Sequence, residues 1–412
     1  LHGQGETASR RERLGETVVN ARHHAVIVSA VRTPMGSFNG SYSSVPATKL
    51  GSLAIAEAVK RLQLPGDRID EVLMGCVLSA GLGQAPARQA AIGAGLPHSV
   101  GAVTVNKVCG SSLQAVMMAT RAIALGEANV MVAGGMENMT RAPFLLEKAR
   151  QGYRLGHGEL TDSLIKDGLW DVYNQFHMGN AGELCAAKYR LSRQDVDDFA
   201  LESYSRARDA IARGAFKKEI VPVEVPQKKG ASVLVSDDEE PNRVDLTKLR
   251  QLKPVFQDDG VLTVGNSPSC NDGAAALVIM GEEEAARLGL TPMARIVGYA
   301  GAALAPEWFT VAPVEAIRRL LKQTGLSIGD IDLFEINEAF SAVSLAINRE
   351  LGLDPKKVNV NGGAVALGHP IGATGARIVT TLLYAMEARD AHRGLAALCI
   401  GGGEALALIV ER

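Results

Sequence analysis

The chain has 412 residues, 47% of them hydrophobic and 21% charged, long enough for two or three domains with sizeable cores. Its 43 basic and 45 acidic side chains leave a formal charge of −2, so no overall field recommends a nucleic acid or an anionic membrane as partner. Five cysteines (Cys76, Cys109, Cys185, Cys270 and Cys399) are odd in number, far apart and free of any Cys-Xaa-Xaa-Cys pair, which argues against a disulfide framework or a zinc site and points to a reducing compartment.

Residues 1–24 lack the apolar stretch of a signal peptide, and Glu6, Glu12 and Glu16 interrupt Arg10, Arg11, Arg13 and Arg22, so this segment reads as a disordered leader rather than a transit peptide. The expected location is the cytoplasm, with the mitochondrial matrix as alternative. No uninterrupted apolar run reaches the roughly 20 residues of a membrane-spanning helix.

Order is expected from Ala25, where Ala25–Val31 reads as a buried strand. Lys49–Leu62 carries a helical apolar stripe, Ile69–Leu78 is a strand candidate, and the alanine-rich Gln84–Gly95 reads as a helix. An apolar run then feeds Cys109, and Leu113, Val116, Met117 and Thr120 recur at helical spacing, so Cys109 is placed where a strand becomes a helix. Unpaired N–H groups of a first helical turn lower a cysteine pKa from its reference of about 8.5, so a thiolate is expected there; a packed structural cysteine is the competing reading. Ala128–Met139 reads as a strand ending in a glycine turn. This alternation predicts a largely parallel sheet covered on both faces.

Between about residues 140 and 262 the pattern changes to charged helices and turns, a region inserted over the α/β core, with one long helix at Asp195–Ala212 and a short extended segment at Val221–Pro226. Alternation resumes at Asn271 and echoes the first part of the chain. Leu64–Gly75 matches Leu326–Asn337 in character, Val103–Asn106 matches Val358–Asn361, and Val130–Glu137 matches Ala397–Glu404, each pair about 255 to 267 positions apart and in the same order. Two similar halves follow, residues 25–290 with the insertion and 291–412, and the cleft between them is the default site.

The second-half partner of the Cys109 turn is Asn361–Gly375, in which His369 sits between Gly368 and Pro370 at a loop tip. An imidazole there takes the thiol proton and leaves a nucleophile, with a surface histidine as the alternative. Cys399 closes a strand before Gly401–Gly403, whose bare backbone suits an oxyanion hole or merely a tight turn. Asn337 ends another strand, where its amide holds a water or caps a helix.

Val105–Ser112, Asn337–Phe340, Asn361–Gly375 and Cys399–Gly403, with Gly134–Met139, His177–Gly179 and Asn271–Ala276, resemble the signature segments of the thiolases, closest to the acetyl-CoA acetyltransferases. The resemblance implies a thiolase-like α/β fold of two halves in an αβαβα layered core. It also implies acyl transfer between CoA thioesters, two acetyl-CoA giving acetoacetyl-CoA and CoA, and a homo-oligomer, dimer or tetramer. Cys109 is then the acylated nucleophile, His369 its proton acceptor and Cys399 the base on a second acetyl-CoA. One oxyanion hole falls to His369 and an Asn337-held water, the other to the Cys109 and Gly401 amides. His177, Met178, Arg243, Val244, Asp245, Lys248, Pro268 and Phe340 are implied to hold CoA. No cofactor is required, although a potassium site at Tyr204, Val264, Gly265, Ser267 and Val365 is possible by the same likeness.

Pro268 stands where relatives carry a serine, Ala405 stands where they carry a glycine, and Asn180–Glu183 departs from the usual Thr-Ala-Glu-Asn. The acyl pocket is expected between Tyr153–Met178 and Trp308–Thr310, where bulky Trp308 and Phe309 favour short acyl groups. A degradative 3-ketoacyl-CoA thiolase is the alternative activity, and a catalytically idle thiolase-like lipid-binding protein the alternative from another class.

Overall fold

The computed structural model describes residues 23–412. The leader assigned to residues 1–24 therefore lies, up to residue 22, outside the described residues.

Nine strands carry the fold: β1 (Ala25–Arg32), β2 (Glu71–Gly75), β3 (Gly101–Val105), β4 (Val130–Asn138), β5 (Asn271–Gly281), β6 (Ala294–Ala303), β7 (Leu333–Ile336), β8 (Arg393–Ile400) and β9 (Glu404–Glu411). They form one hydrogen-bonded path, β7-β8-β9-β6-β1-β5-β4-β2-β3, with Gly36–Ser37 added alongside β5. The path passes from one half to the other only at β1–β6, through Val26–Arg295 and Ile27–Ala294.

The halves repeat one design. The row β1-β5-β4-β2-β3 corresponds strand for strand to β6-β9-β8-β7, where a parallel bridge from Phe334 to Val358 stands in for the fifth strand. Two of the three echoes in the sequence thus fall on equivalent strands, β2 with β7 and β4 with β8, and the third sets β3 against the bridge at Val358. The expectation of a largely parallel sheet is corrected. Only β2–β3, β2–β4 and β7–β8 pair parallel, whereas β5 runs antiparallel to both β1 and β4, and β9 antiparallel to both β6 and β8.

Strand alternation assigns side chains to layers. Val26 and Val28 of β1 face one cluster with the helices α1 (Ala47–Lys60) and α2 (Pro86–Gly93), whereas Ile27 faces the cluster around α3 (Ser111–Leu125). That second cluster also takes residues of β8 and β9 and of a helix near the C-terminus, Thr374–Arg389, so the two halves clamp this helix and α3 between their sheets. The far face of β8 and β9 packs on α6 (Ala312–Thr324) and α7 (Ser341–Leu351), which follow two helices of the intervening region, α4 (Met178–Lys188) and α5 (Arg193–Ala212). In chain order Thr374–Arg389 is α8, and the layers run helix, sheet, helix, sheet, helix.

One local reading also changes, and one departure is accommodated. Gly134 and Gly135 lie inside β4 rather than in a turn after it, because a Cβ on Gly135 would strike the carbonyl oxygen of Gly372 and one on Gly134 that of Ala275. Ala405 carries no strain, since it lies within β9 opposite Cys399, and the left-handed turn is taken by Gly402 (φ 89°) and Gly403 (φ 93°).

Candidate active site

Cys109 sits between β3 and α3, as its flanking residues predict. The turn is tight: Lys107 and Cys109 bridge, the Lys107 carbonyl accepts from the Gly110 N–H at 3.0 Å, and a Cβ on Gly110 would enter Ile400. Val108 takes φ 46°, a left-handed conformation rare for a β-branched residue and worth about 1–3 kcal/mol of strain. The Asn106 side chain accepts from the Val108 N–H at 3.0 Å, and Ser111 Oγ donates to the Val108 carbonyl at 2.6 Å. Strained backbone at that point aims the next side chain, Cys109, into the cleft between the halves.

That cleft is a cavity of about 660 Å³ lined by Cys109, His369, Cys399 and Gly401. The backbone N–H groups of Gly401 and of Cys109 itself, the pair of amides expected to form an oxyanion hole, favour the charged form of the Cys109 thiol. Their pull does not win. Burial pushes the Cys109 thiol up to about 11, which corrects the expectation of a thiolate depressed by the helix terminus. Cys399 is also raised, by burial first and by nearby Cys109 second.

His369 is buried rather than at a surface loop tip. Its backbone N–H donates to Asn271 Oδ1 at 2.9 Å, and its Nδ1 lies 2.7 Å from Thr374 Oγ1 at the start of α8. Burial, and then the charge of Arg377, push the imidazole down to about 3, so it is neutral near pH 7 and free to accept a proton.

Two buried carboxylates hold these loops, and neither is singled out by the sequence motifs. Glu137, on β4, accepts from the N–H groups of Val77 (3.0 Å), Leu78 (3.1 Å) and Gly372 (2.9 Å), and burial raises it to about 7. Glu338 accepts from Ser203 Oγ at 2.8 Å, Asn359 Nδ2 at 2.9 Å and the Val365 N–H at 3.0 Å, pinning the stretch that leads to His369. Neighbouring Asn337 is buried with neither side-chain Oδ1 nor Nδ2 bonded. It lies outside the cavity lining, which takes Ala339 and Phe340 from the same segment.

The outer part of the cavity gathers most of the other expected contacts: His177, Met178, Val244, Asp245, Lys248, Pro268 and Phe340. The His177 ring stacks on Phe256 with centroids 5.2 Å apart, and Phe256 meets Phe340 edge-on at 5.8 Å, giving an aromatic wall. Arg243 is exposed beside this region and not part of the lining. Arg208 of α5 donates to the Pro241 carbonyl at 2.7 Å and to that of Val244 at 2.6 Å, fixing the segment that ends in Lys248. Among the residues of the suspected cation site, Val264, Gly265 and Ser267 line the cavity. Gly265 backs onto Leu249, which shares a packed cluster with Tyr204 and Val365, and the Ser267 hydroxyl is buried without a partner.

Next to Cys109 the wall is Val77, Leu78, Met139, Leu164 and Ile371, with Leu169 and Cys270 at its edge. Leu164, Leu169, His177 and Met178 come from the expected stretch, and Phe309 lines the cavity, but Trp308 does not. The 3-10 segment Pro306–Val311 kinks at Trp308, whose ring lies 4.2 Å under the Lys188 ammonium instead. Cys270, bridged to His369, is a third thiol in the cavity that no motif indicates.

Family profiles match almost the whole described chain: "Thiolase, N-terminal domain" over residues 25–283 and "Thiolase, C-terminal domain" over 290–412. The chain is 50% identical over 387 residues to an acetyl-CoA acetyltransferase of Schizosaccharomyces pombe, covering 94% of this chain and 98% of that one. It is 51% identical over 391 residues to the "Acetyl-CoA acetyltransferase B, mitochondrial" of Xenopus laevis, covering 95% and 92%. The crystal structure of the Bacillus anthracis acetyl-CoA acetyltransferase superposes with a TM-score of 0.93 at 42% identity, covering 95% of this chain and 99% of that one.

Proposed function

The chain belongs to the thiolase family, and from that membership together with its cavity we infer that it is an acetyl-CoA C-acetyltransferase. It condenses two acetyl-CoA to acetoacetyl-CoA and CoA and catalyses the reverse thiolysis. The observation that carries the residue roles is the convergence of Cys109, His369, Cys399 and Gly401 on one cavity.

In this reading the resting pair is a neutral thiol and a neutral imidazole. As Cys109 Sγ attacks the thioester carbon, its proton passes to His369, and the developing oxyanion is taken by the Cys109 and Gly401 N–H groups. CoA leaves as a thiolate that takes the proton of the Cys399 thiol, so CoA–SH departs, the acyl group stays on Cys109 and Cys399 is left as the thiolate. A second acetyl-CoA then loses an α-proton to the Cys399 thiolate, and its carbanion attacks the acyl carbon. Because the amides already serve the acyl oxygen, the second thioester oxygen falls to His369 and to a water on Asn337. The unpartnered amide of Asn337 supports that water, since a buried polar group with no partner is costly unless solvated.

CoA lies along His177, Met178, Val244, Asp245, Lys248, Pro268 and Phe340, with Lys248 and the exposed Arg243 presenting positive charge to its phosphates. By likeness to the family, Tyr204, Val264, Gly265, Ser267 and Val365 would hold a potassium ion, a reading supported by the buried Ser267 hydroxyl, which has no partner. We place the enzyme in a reducing compartment, the cytoplasm before the mitochondrial matrix, as a homo-oligomer. The test compares thiolysis of acetoacetyl-CoA with that of a long-chain 3-ketoacyl-CoA. Preference for the four-carbon substrate is expected, and equal rates on both would overturn the short-chain assignment in favour of a degradative thiolase.

A further inference from the structure

We propose that Thr374 is a positioning residue that fixes the tautomer of His369, keeping the proton on Nδ1 so that Nε2 is the bare nitrogen available to Cys109. This rests on the acyl-transfer reading above for its catalytic consequence, but its geometric basis is separate. Thr374 Oγ1 stands 2.7 Å from His369 Nδ1 and donates to the Pro370 carbonyl at 2.8 Å. A hydroxyl has one hydrogen. The Pro370 carbonyl can only accept, so a 2.8 Å contact with it requires the hydroxyl hydrogen, and the hydroxyl meets Nδ1 with a lone pair. Nδ1 must then carry the hydrogen between them.

The surroundings leave little room for the other arrangement. Thr374 is fully buried, so water does not substitute for it. The His369 main chain is held by Asn271 and by the bridge to Cys270, which fixes where the ring starts. Arg377, one turn along α8, disfavours a charged imidazolium, so the ring rests neutral and the choice is between its two neutral forms. Among the described residues no protein group bonds Nε2, and the ring lines the same cavity as Cys109. The opposite tautomer would turn an N–H toward Cys109 and abolish proton acceptance in the first half-reaction.

The experiment uses the full chain labelled with ¹⁵N-histidine, with His369 assigned by its loss in His369→Ala. The wild-type spectrum is expected to show a protonated Nδ1 and a bare Nε2; a protonated Nε2 in the resting enzyme overturns the proposal. Thr374→Val, nearly the same shape without the hydroxyl, is expected to lose that pattern and to slow acylation of Cys109 by acetyl-CoA roughly 10²-fold, with KM changed by less than about twofold. Thr374→Ser is expected to keep both the spectrum and the rate. Wild-type acylation by Thr374→Val also overturns the proposal, and if that variant does not fold, the wild-type spectrum together with the serine variant decides. Failure of the acyl-transfer reading is distinct: the wild type would not take an acetyl group from acetyl-CoA, whatever its tautomer.

Discussion

Lys107 and Glu404 meet at 2.6 Å across the join between the halves, one two residues before Cys109 and the other directly after the Gly401–Gly403 turn. Each side chain therefore belongs to a turn that carries one of the two amides proposed for the oxyanion hole, and the pair ties the two turns together. No pattern in the sequence couples positions almost 300 apart.

With side chains 26% and 39% exposed, this pair contributes about 0.2–1 kcal/mol to stability and is screened by salt. Its larger effect is on alignment. Glu404→Gln and Lys107→Gln are each expected to lower kcat by about threefold to tenfold while melting within a few degrees of the wild type. The exchange Lys107→Glu with Glu404→Lys is expected to restore most of the rate. Steady-state kinetics at low and high salt check this, and single variants with unchanged kcat would remove the alignment role.

Cys109→Ser is expected to abolish both condensation and thiolysis, because a hydroxyl beside a neutral imidazole is a far weaker nucleophile than a thiol. Cys399→Ala is expected to take up an acetyl group on Cys109, visible by mass spectrometry, and then to stall before condensation. Full condensing activity in either variant would sink the assignment of the two cysteines.

The pH dependence of Cys109 follows from its burial. A thiol raised to about 11 is almost wholly protonated at pH 7, so alkylation of His369→Asn is expected to climb with pH up to that region. If His369 takes the proton during attack, as proposed, the wild-type rate near pH 7 is expected to be higher by an order of magnitude or more. An inflection below pH 8 in His369→Asn would show that the helix terminus, not burial, governs the thiol.

The residues proposed to do the chemistry stand out in the sequence because their types are informative in place: Cys109 at a strand-to-helix turn, His369 before a proline, Cys399 before three glycines. The duplication was legible too, since two of the echoes keep strand character at matching positions and the third falls on the bridge at Val358. The antiparallel strands β5 and β9 were not, because both are apolar runs and direction leaves no trace in composition. Glu137, Glu338 and Thr374 were equally hidden. All three lie inside the signature segments, yet their partners are backbone groups, side chains or a histidine nitrogen brought near by folding, and a glutamate or threonine does not announce such partners. Trp308 was misplaced for a related reason: whether it lines the pocket or covers Lys188 depends on one kinked turn.

Glu137 tests whether the loop that carries His369 is held electrostatically. Its carboxyl is raised from 4.5 to about 7 by burial, in spite of three N–H groups that favour the charged form. Between those two values the folded protein binds more protons at this site than the unfolded chain, so this residue's contribution to stability falls as pH rises through that window and is constant outside it. Glu137→Gln removes the titration. It also sets an amide NH₂ against backbone N–H groups that need an acceptor, which is expected to cost about 1–3 kcal/mol. Thermal melts at pH 5, 6, 7 and 8 should therefore give a less stable variant with a flatter profile than the wild type. Because Gly372 lies three residues beyond His369, kcat should fall in the variant with little change in KM. Parallel melting profiles for the two proteins would place the raised carboxyl elsewhere, and an unchanged kcat would mean that Glu137 holds the fold without holding His369.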